Sequence, residues 1–222
     1  MFSSAINVEL TDGAWVTFHG PGPLRAPFAL ACTRVVPVRP GALVTREVDA
    51  VQMGSCRLRF DRARVVASSW PHVLDRQVVL ARLPVVAPAF PLLATRARAL
   101  GVAIRRVDAA GFAAAARELL GLGPGLTPSG DDCLVGALAA LSCHGGGWRA
   151  RVSALGPSLA MAARGATTRV AAEFVTCALV EEFSEPLRRA AARGDAADLF
   201  AFGATSGHDT LLGVRTALSA LV

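Results

Sequence analysis

Lysine and tyrosine are both missing from the 222 residues. Without lysine there can be no Schiff-base catalysis and no P-loop lysine, and without tyrosine no phenolic acid. The formal net charge of +6 therefore rests on arginine, whose planar fork clamps carboxylates and phosphates. Aromatics are scarce, at 6%, and the arginines are scattered one or two at a time, which argues against a nucleic-acid footprint. Long apolar runs are also missing. None reaches the roughly 18 residues a membrane helix needs, although 53% of the chain is hydrophobic. That surplus apolar surface leads us to expect an oligomer with a subunit interface. The five cysteines, Cys32, Cys56, Cys133, Cys143 and Cys177, show no C-x-x-C spacing. They read as reduced, buried thiols of a cytoplasmic protein, with core packing a better assignment than nucleophile for Cys133 and Cys143. No HxxxH, HxH or paired-Cys spacing points to zinc. The opening residues, MFSSAINVELTDG, lack the basic-then-apolar pattern of a secretion signal.

The patterning that is present divides the chain. Over residues 6–68, short alternating runs separated by turn residues predict five or six strands, in a small barrel or sandwich. Within that region Trp15 reads as a packed strand residue and His19 as a surface loop residue. Pro84, Pro88 and Pro91 punctuate a linker, with residues 75–83 before them reading as a short helix or strand, and from 92 onward the apolar spacing turns helical. The expected organisation is α+β: a β-rich domain over 1–75, a linker region over 76–91, and a helical domain over 92–222.

The densest signal lies at residues 121–141, GLGPGLTPSGDDCLVGALAAL. Gly121 falls where a helix should stop, and Gly123 and Gly125 bracket Pro124. Ser129 and Asp132 read as an S-x-x-D capping box opening an apolar helix. A shorter echo follows 77 residues later, SGHDTLLGVRTAL from Ser206. There Ser206 and Asp209 repeat the box, Gly207 repeats Gly130, Gly213 repeats Gly136, and His208 replaces Asp131. Capping alone would explain the serines and aspartates, at about 1 kcal/mol per helix. It leaves Thr127, Asp131 and the Gly-Pro-Gly turn unexplained.

A third polar helix start, Thr167, Thr168 and Arg169, lies between the two copies. The expectation is that all three converge on one site. Gly123, Gly125, Thr127, Ser129, Gly130, Thr167, Thr168, Ser206 and Gly207 would hold an anion or carbonyl oxygen through hydroxyls and backbone N–H groups. Arg169 would balance charge, and Asp131, Asp132, His208 and Asp209 would orient or deprotonate an amino or amide group. An alternative use of Asp131, Asp132 and Asp209 is a Mg²⁺ site bridging to phosphate.

GLGPGLTPSGDD, followed by the Thr-Thr segment and then TSGHD-x-L-x-G, resembles the AllH-like family, whose named member is a subunit of oxamate carbamoyltransferase. The β-rich start with its Gly-Pro-Gly-Pro loop fits the same family. Cys133 stands where the family usually has an aromatic residue, a packing change that leaves the polar motif intact. The resemblance implies a multi-subunit system of purine-ureide catabolism acting on carbamoyl phosphate and an oxamate-like acid. Two further readings remain open: a non-catalytic assembly subunit, and a phosphotransferase-like enzyme whose glycine-rich loop cradles nucleotide phosphates.

Overall fold

The computed structural model describes residues 5–11, 15–21, 26–34, 37–39, 41–61, 63–64, 69–201 and 203–221. The chain forms two compact units, residues 1–68 and 69–222.

The first unit is β. Strand β1 (Ala5–Glu9) pairs antiparallel with β2 (Trp15–His19), and β3 (Ala29–Ala31) lies parallel to β2 with Phe18 opposite Leu30. A second sheet is an antiparallel meander of β4 (Val44–Arg46), β5 (Ala50–Met53) and β6 (Cys56–Arg59). The alternation expected of half-buried strands turns Val8, Phe18 and Met53 into one small core, with Ile6, Val16, Val51 and Leu58 packed around it. Each sheet has three strands, and among the described residues no ladder joins them. Of the expected barrel or sandwich, the described residues form two small sheets around one core and no closed barrel. His19 also differs from expectation. It ends β2, is buried, and has Nδ1 2.7 Å from the Gly20 carbonyl oxygen. Of the expected β region, residues 12–14, 35–36, 40, 62 and 65–68, and Gly22 and Pro23 of the Gly-Pro-Gly-Pro loop, lie outside the described residues.

The second unit is helical: α1 (Arg76–Arg82), α2 (Pro91–Arg105), α3 (Ala109–Leu119), α4 (Ser129–His144), α5 (Trp148–Ala166), α6 (Arg169–Leu179), α7 (Glu185–Arg193), a 3-10 turn (Ala197–Ala201) and α8 (Ser206–Ala220). Asp108 and Thr168 cap α3 and α6, accepting from the Gly111 and Ala171 amides. α4 is the axis of the unit. It is buried on every side from Ser129 to Ser142 except for a partly exposed Asp132, as its nearly unbroken apolar sequence requires. Helices α2, α3, α5, α6, α7 and α8 all pack on it. Among the described residues no helix is long and apolar enough to cross a membrane.

Candidate functional site at two crossed helix starts

The loop before α4 turns through three glycines with positive φ, Gly121, Gly123 and Gly125. Gly121 is the most constrained. Its φ is +71°, and a Cβ there would lie 2.1 Å from the Ala166 carbonyl oxygen, so neither angle nor space admits a side chain. The loop then closes on itself, with the Gly130 amide donating to the Leu122 carbonyl at 2.8 Å. That amide is consequently engaged rather than open to a ligand.

The serines do not cap. Ser129 and Ser206 are the first helical residues, the N-cap positions belong to Pro128 and Thr205, and neither helix has a side-chain cap bond. The S-x-x-D elements are put to another use. The hydroxyls of Thr127 and Ser206 lie 2.9 Å apart, so the two turns touch. Asp132 is faced by the hydroxyls of Ser206 and Thr127, and Asp209 by those of Ser129 and Thr205. Each carboxylate thus looks to the serine of the other copy.

The third helix start joins them from the side. Thr168 Oγ1 donates to the Leu126 carbonyl, tying the loop to α6. Thr167 Oγ1 donates to Asp131 Oδ2 at 2.7 Å, and the Gly121 amide reaches both Asp131 oxygens at 3.1 and 3.2 Å. Asp131 is 1% exposed. It braces the loop against α6, while Asp132 and Asp209 face the crossing. Arg169 and His208 are exposed, and His208 packs its ring against Phe200 at 4.7 Å between centroids.

Residues 119–218 match the family model described as oxamate carbamoyltransferase subunit AllH. The match covers 100 of the 222 residues of the chain. It runs from the end of α3 into the last turns of α8 and holds both serine turns and the Thr167–Arg169 start; the β unit lies outside it. No curated protein and no solved structure matches the chain.

Within the matched segment the two copies approach each other through equivalent glycines. A Cβ on Gly136 would lie 1.9 Å from the Thr210 carbonyl oxygen, and one on Gly213 would lie 1.8 Å from that of Cys133. Residues 133 and 210, like 136 and 213, are 77 apart, so each copy meets the other at the equivalent position. Gly130 and Gly207 repeat the relation with the elements that precede them: their Cβ atoms would fall 2.0 and 1.9 Å from the carbonyl oxygens of Leu119 and Leu199. The echo visible in the sequence is therefore a duplicated helix start, crossed backbone to backbone. Gly136 and Gly213 were visible as part of the repeat, but only the crossing gives them a role. Thr205 opened the TSGHD motif with no role assigned to it, and the Leu126 carbonyl carried no sequence signal.

Crossing the helices this way crowds acids. Burial, with Asp209 and Asp131 as neighbouring negative charges, raises Asp132 well above the usual carboxylate range, against the pull of the Ser206 and Thr127 hydroxyls. Burial also raises Asp209, against the hydroxyls of Ser129 and Thr205. Among the described residues, Oδ2 of Asp132 and Oδ2 of Asp209 are buried with no hydrogen-bond partner. Such groups are rare in folded proteins and mark strain or function. Two raised, neighbouring carboxyls can divide the roles of proton donor and acceptor between them. The thiols cannot compete as nucleophiles, since burial pushes Cys133 and Cys143 up to about 12. Among the described residues no group of three or more His, Cys, Asp or Glu is arranged to hold a metal ion.

Asp131 gives a pH prediction of its own. Burial raises it to about 6 from an ordinary 3.8. Between those values the folded chain holds a proton that the unfolded chain has released, so stability falls as pH rises through the window. A shift of that size corresponds to roughly 3 kcal/mol. Asp131→Asn is expected to flatten the fall in stability between about pH 4 and 6, measured by urea unfolding at several pH values. An unchanged slope would show that other groups govern it.

Proposed function

We propose that this chain is a carbamoyltransferase subunit that binds carbamoyl phosphate and a small carboxylate-amide acceptor where α4 and α8 cross. The observation that carries the reading is the pair of buried, unpartnered Oδ2 atoms beside touching hydroxyls from two helix starts. The AllH-family match over residues 119–218 supplies the reaction class. Helix N-termini and hydroxyls favour phosphate and a carbamoyl oxygen that gains negative charge. Thr127, Ser129 and Ser206 would supply the hydroxyls, with backbone of the Gly123–Gly125 turn on the anion side.

In the reaction, the acceptor nitrogen attacks the carbamoyl carbon. The new C–N bond forms as the C–O bond to phosphate breaks, and phosphate leaves. The nitrogen's proton passes to whichever of Asp132 and Asp209 is ionised, while the protonated partner avoids repelling the anion. Asp131 acts through position, holding the Gly121 turn against Thr167. Mg²⁺, if it takes part, would be held by Asp132 and Asp209 with the phosphate, because Asp131 is committed elsewhere.

Thermal unfolding with carbamoyl phosphate, oxamate or ATP, each with and without Mg²⁺, tests the reading. A ligand at a hundred times its Kd should add about 2.7 kcal/mol, on the order of 5–10 °C for a chain of this size. We expect that shift with carbamoyl phosphate or oxamate. A shift with ATP alone would replace the reading with a phosphotransferase, and no shift with any of them would leave an assembly role.

A further inference from the structure

The groove between α2 and α8 is not explained by this chemistry. Its volume is about 570 Å³, and Arg98, Val102 and Arg105 of α2 face Leu212 and Arg215 of α8 across it. Arg98 and Arg105 are seven residues apart, two helical turns, and so share a face about 10 Å along the axis. Arg215 Nη1 donates to the Leu80 and Leu83 carbonyls at 3.3 and 2.6 Å. Those carbonyls fix the guanidinium without neutralising it. Among the described residues, Arg98 reaches only Thr95 Oγ1, at 3.4 Å.

None of the three has a carboxylate partner among the described residues. Three arginines elsewhere on this unit do: Arg96 pairs with Glu118, Arg149 with Glu181, and Arg189 with Asp195 and Asp198. The groove also exposes apolar surface. Val102 is 47% exposed. A row of uncompensated cations over an apolar floor fits a partner that is acidic and apolar at once. A second copy is a poor occupant, since it too carries +6.

We propose that this groove receives an acidic, amphipathic segment of another subunit of the transferase. The proposal rests on the subunit reading above, though not on the catalytic role of Asp132 or Asp209. The test is co-expression with the other subunits of oxamate carbamoyltransferase, followed by light scattering after size exclusion and by titration at two salt concentrations. Wild type is expected to form a complex that weakens with salt. Arg98→Glu with Arg105→Glu should weaken it at least tenfold, and Val102→Asp should do the same. Arg117→Glu on α3 should leave it intact. The isolated variants should melt near wild type and keep the shift with carbamoyl phosphate, which separates a lost interface from a lost fold or a lost site. The proposal fails if wild type forms no complex with those subunits, if the reversals leave the complex unchanged, or if they instead dissolve a self-associated form. A melting shift with inorganic phosphate that disappears in the reversed variant would likewise overturn it in favour of a small-anion site.

Discussion

Asp132→Asn is expected to cost the reconstituted transferase at least about 100-fold in kcat, the lower end of what a positioned acid or base contributes, while raising the thermal midpoint of the isolated chain at pH 8. The two effects have one cause. Asp132 is held beside Asp209 with its Oδ2 buried and unpartnered, and burial resists its ionisation. An amide of the same shape removes the charge, relieves the repulsion and leaves the Ser206 and Thr127 hydroxyls a partner. It also removes the proton acceptor. The stabilisation should shrink as pH falls, because wild-type Asp132 then becomes neutral as well. The Asp209→Asn variant should behave alike, since burial raises it too. The measurements are a pH series of melting curves and steady-state kinetics of the complex. Full activity in both asparagine variants would remove the acid pair from the mechanism. Loss of activity with a lowered midpoint would instead make the pair structural.

Gly136→Ala should be among the most destabilising single-methyl changes in the chain, at roughly 3–5 kcal/mol by comparison with the severe end of point mutants. The added carbon would meet the Thr210 carbonyl oxygen at 1.9 Å, and that is backbone in a buried helix, with no flexible side chain to swing away. Gly213→Ala meets the Cys133 carbonyl oxygen at 1.8 Å and should cost a similar amount. The double variant should cost less than the sum, because helices forced apart by one methyl leave room for the other. Gly165→Ala in α5 is the control. Nothing lies within 4 Å of its Cβ, and alanine should stabilise that helix by up to about 1 kcal/mol. Urea unfolding of all four chains measures the series. An additive double variant would mean that the two contacts are independent, contrary to a shared crossing.

Much of the helical unit could be read in advance because its signals are local. Asp108 and Thr168 announced helix starts, Gly121 a stop, and the unbroken apolar run after Asp132 a buried helix. The serine turns were recognised as a repeated pair, but their partners were misassigned. A capping box is a contact within four residues, whereas the hydroxyl opposite Asp132 comes from Ser206, and sequence spacing carries no trace of an exchange across 74 positions. Asp131 shows the same blindness. Its neighbours in the motif led to a catalytic expectation, yet its hydrogen bonds go to Gly121 and Thr167. In the β unit, alternation found strands, but strand ends and sheet closure depend on pairing between segments, and His19 is buried through a neighbouring carbonyl that no pattern marks.

The exchange of serines between the turns limits how the helical unit can be divided. Each turn lends its hydroxyl to the acid of the other, and each glycine seats the opposite backbone. A fragment with a single turn would hold half of the acid and hydroxyl set and an uncovered helix face. Such a fragment could recover the whole set only by finding a twin across a rotation axis.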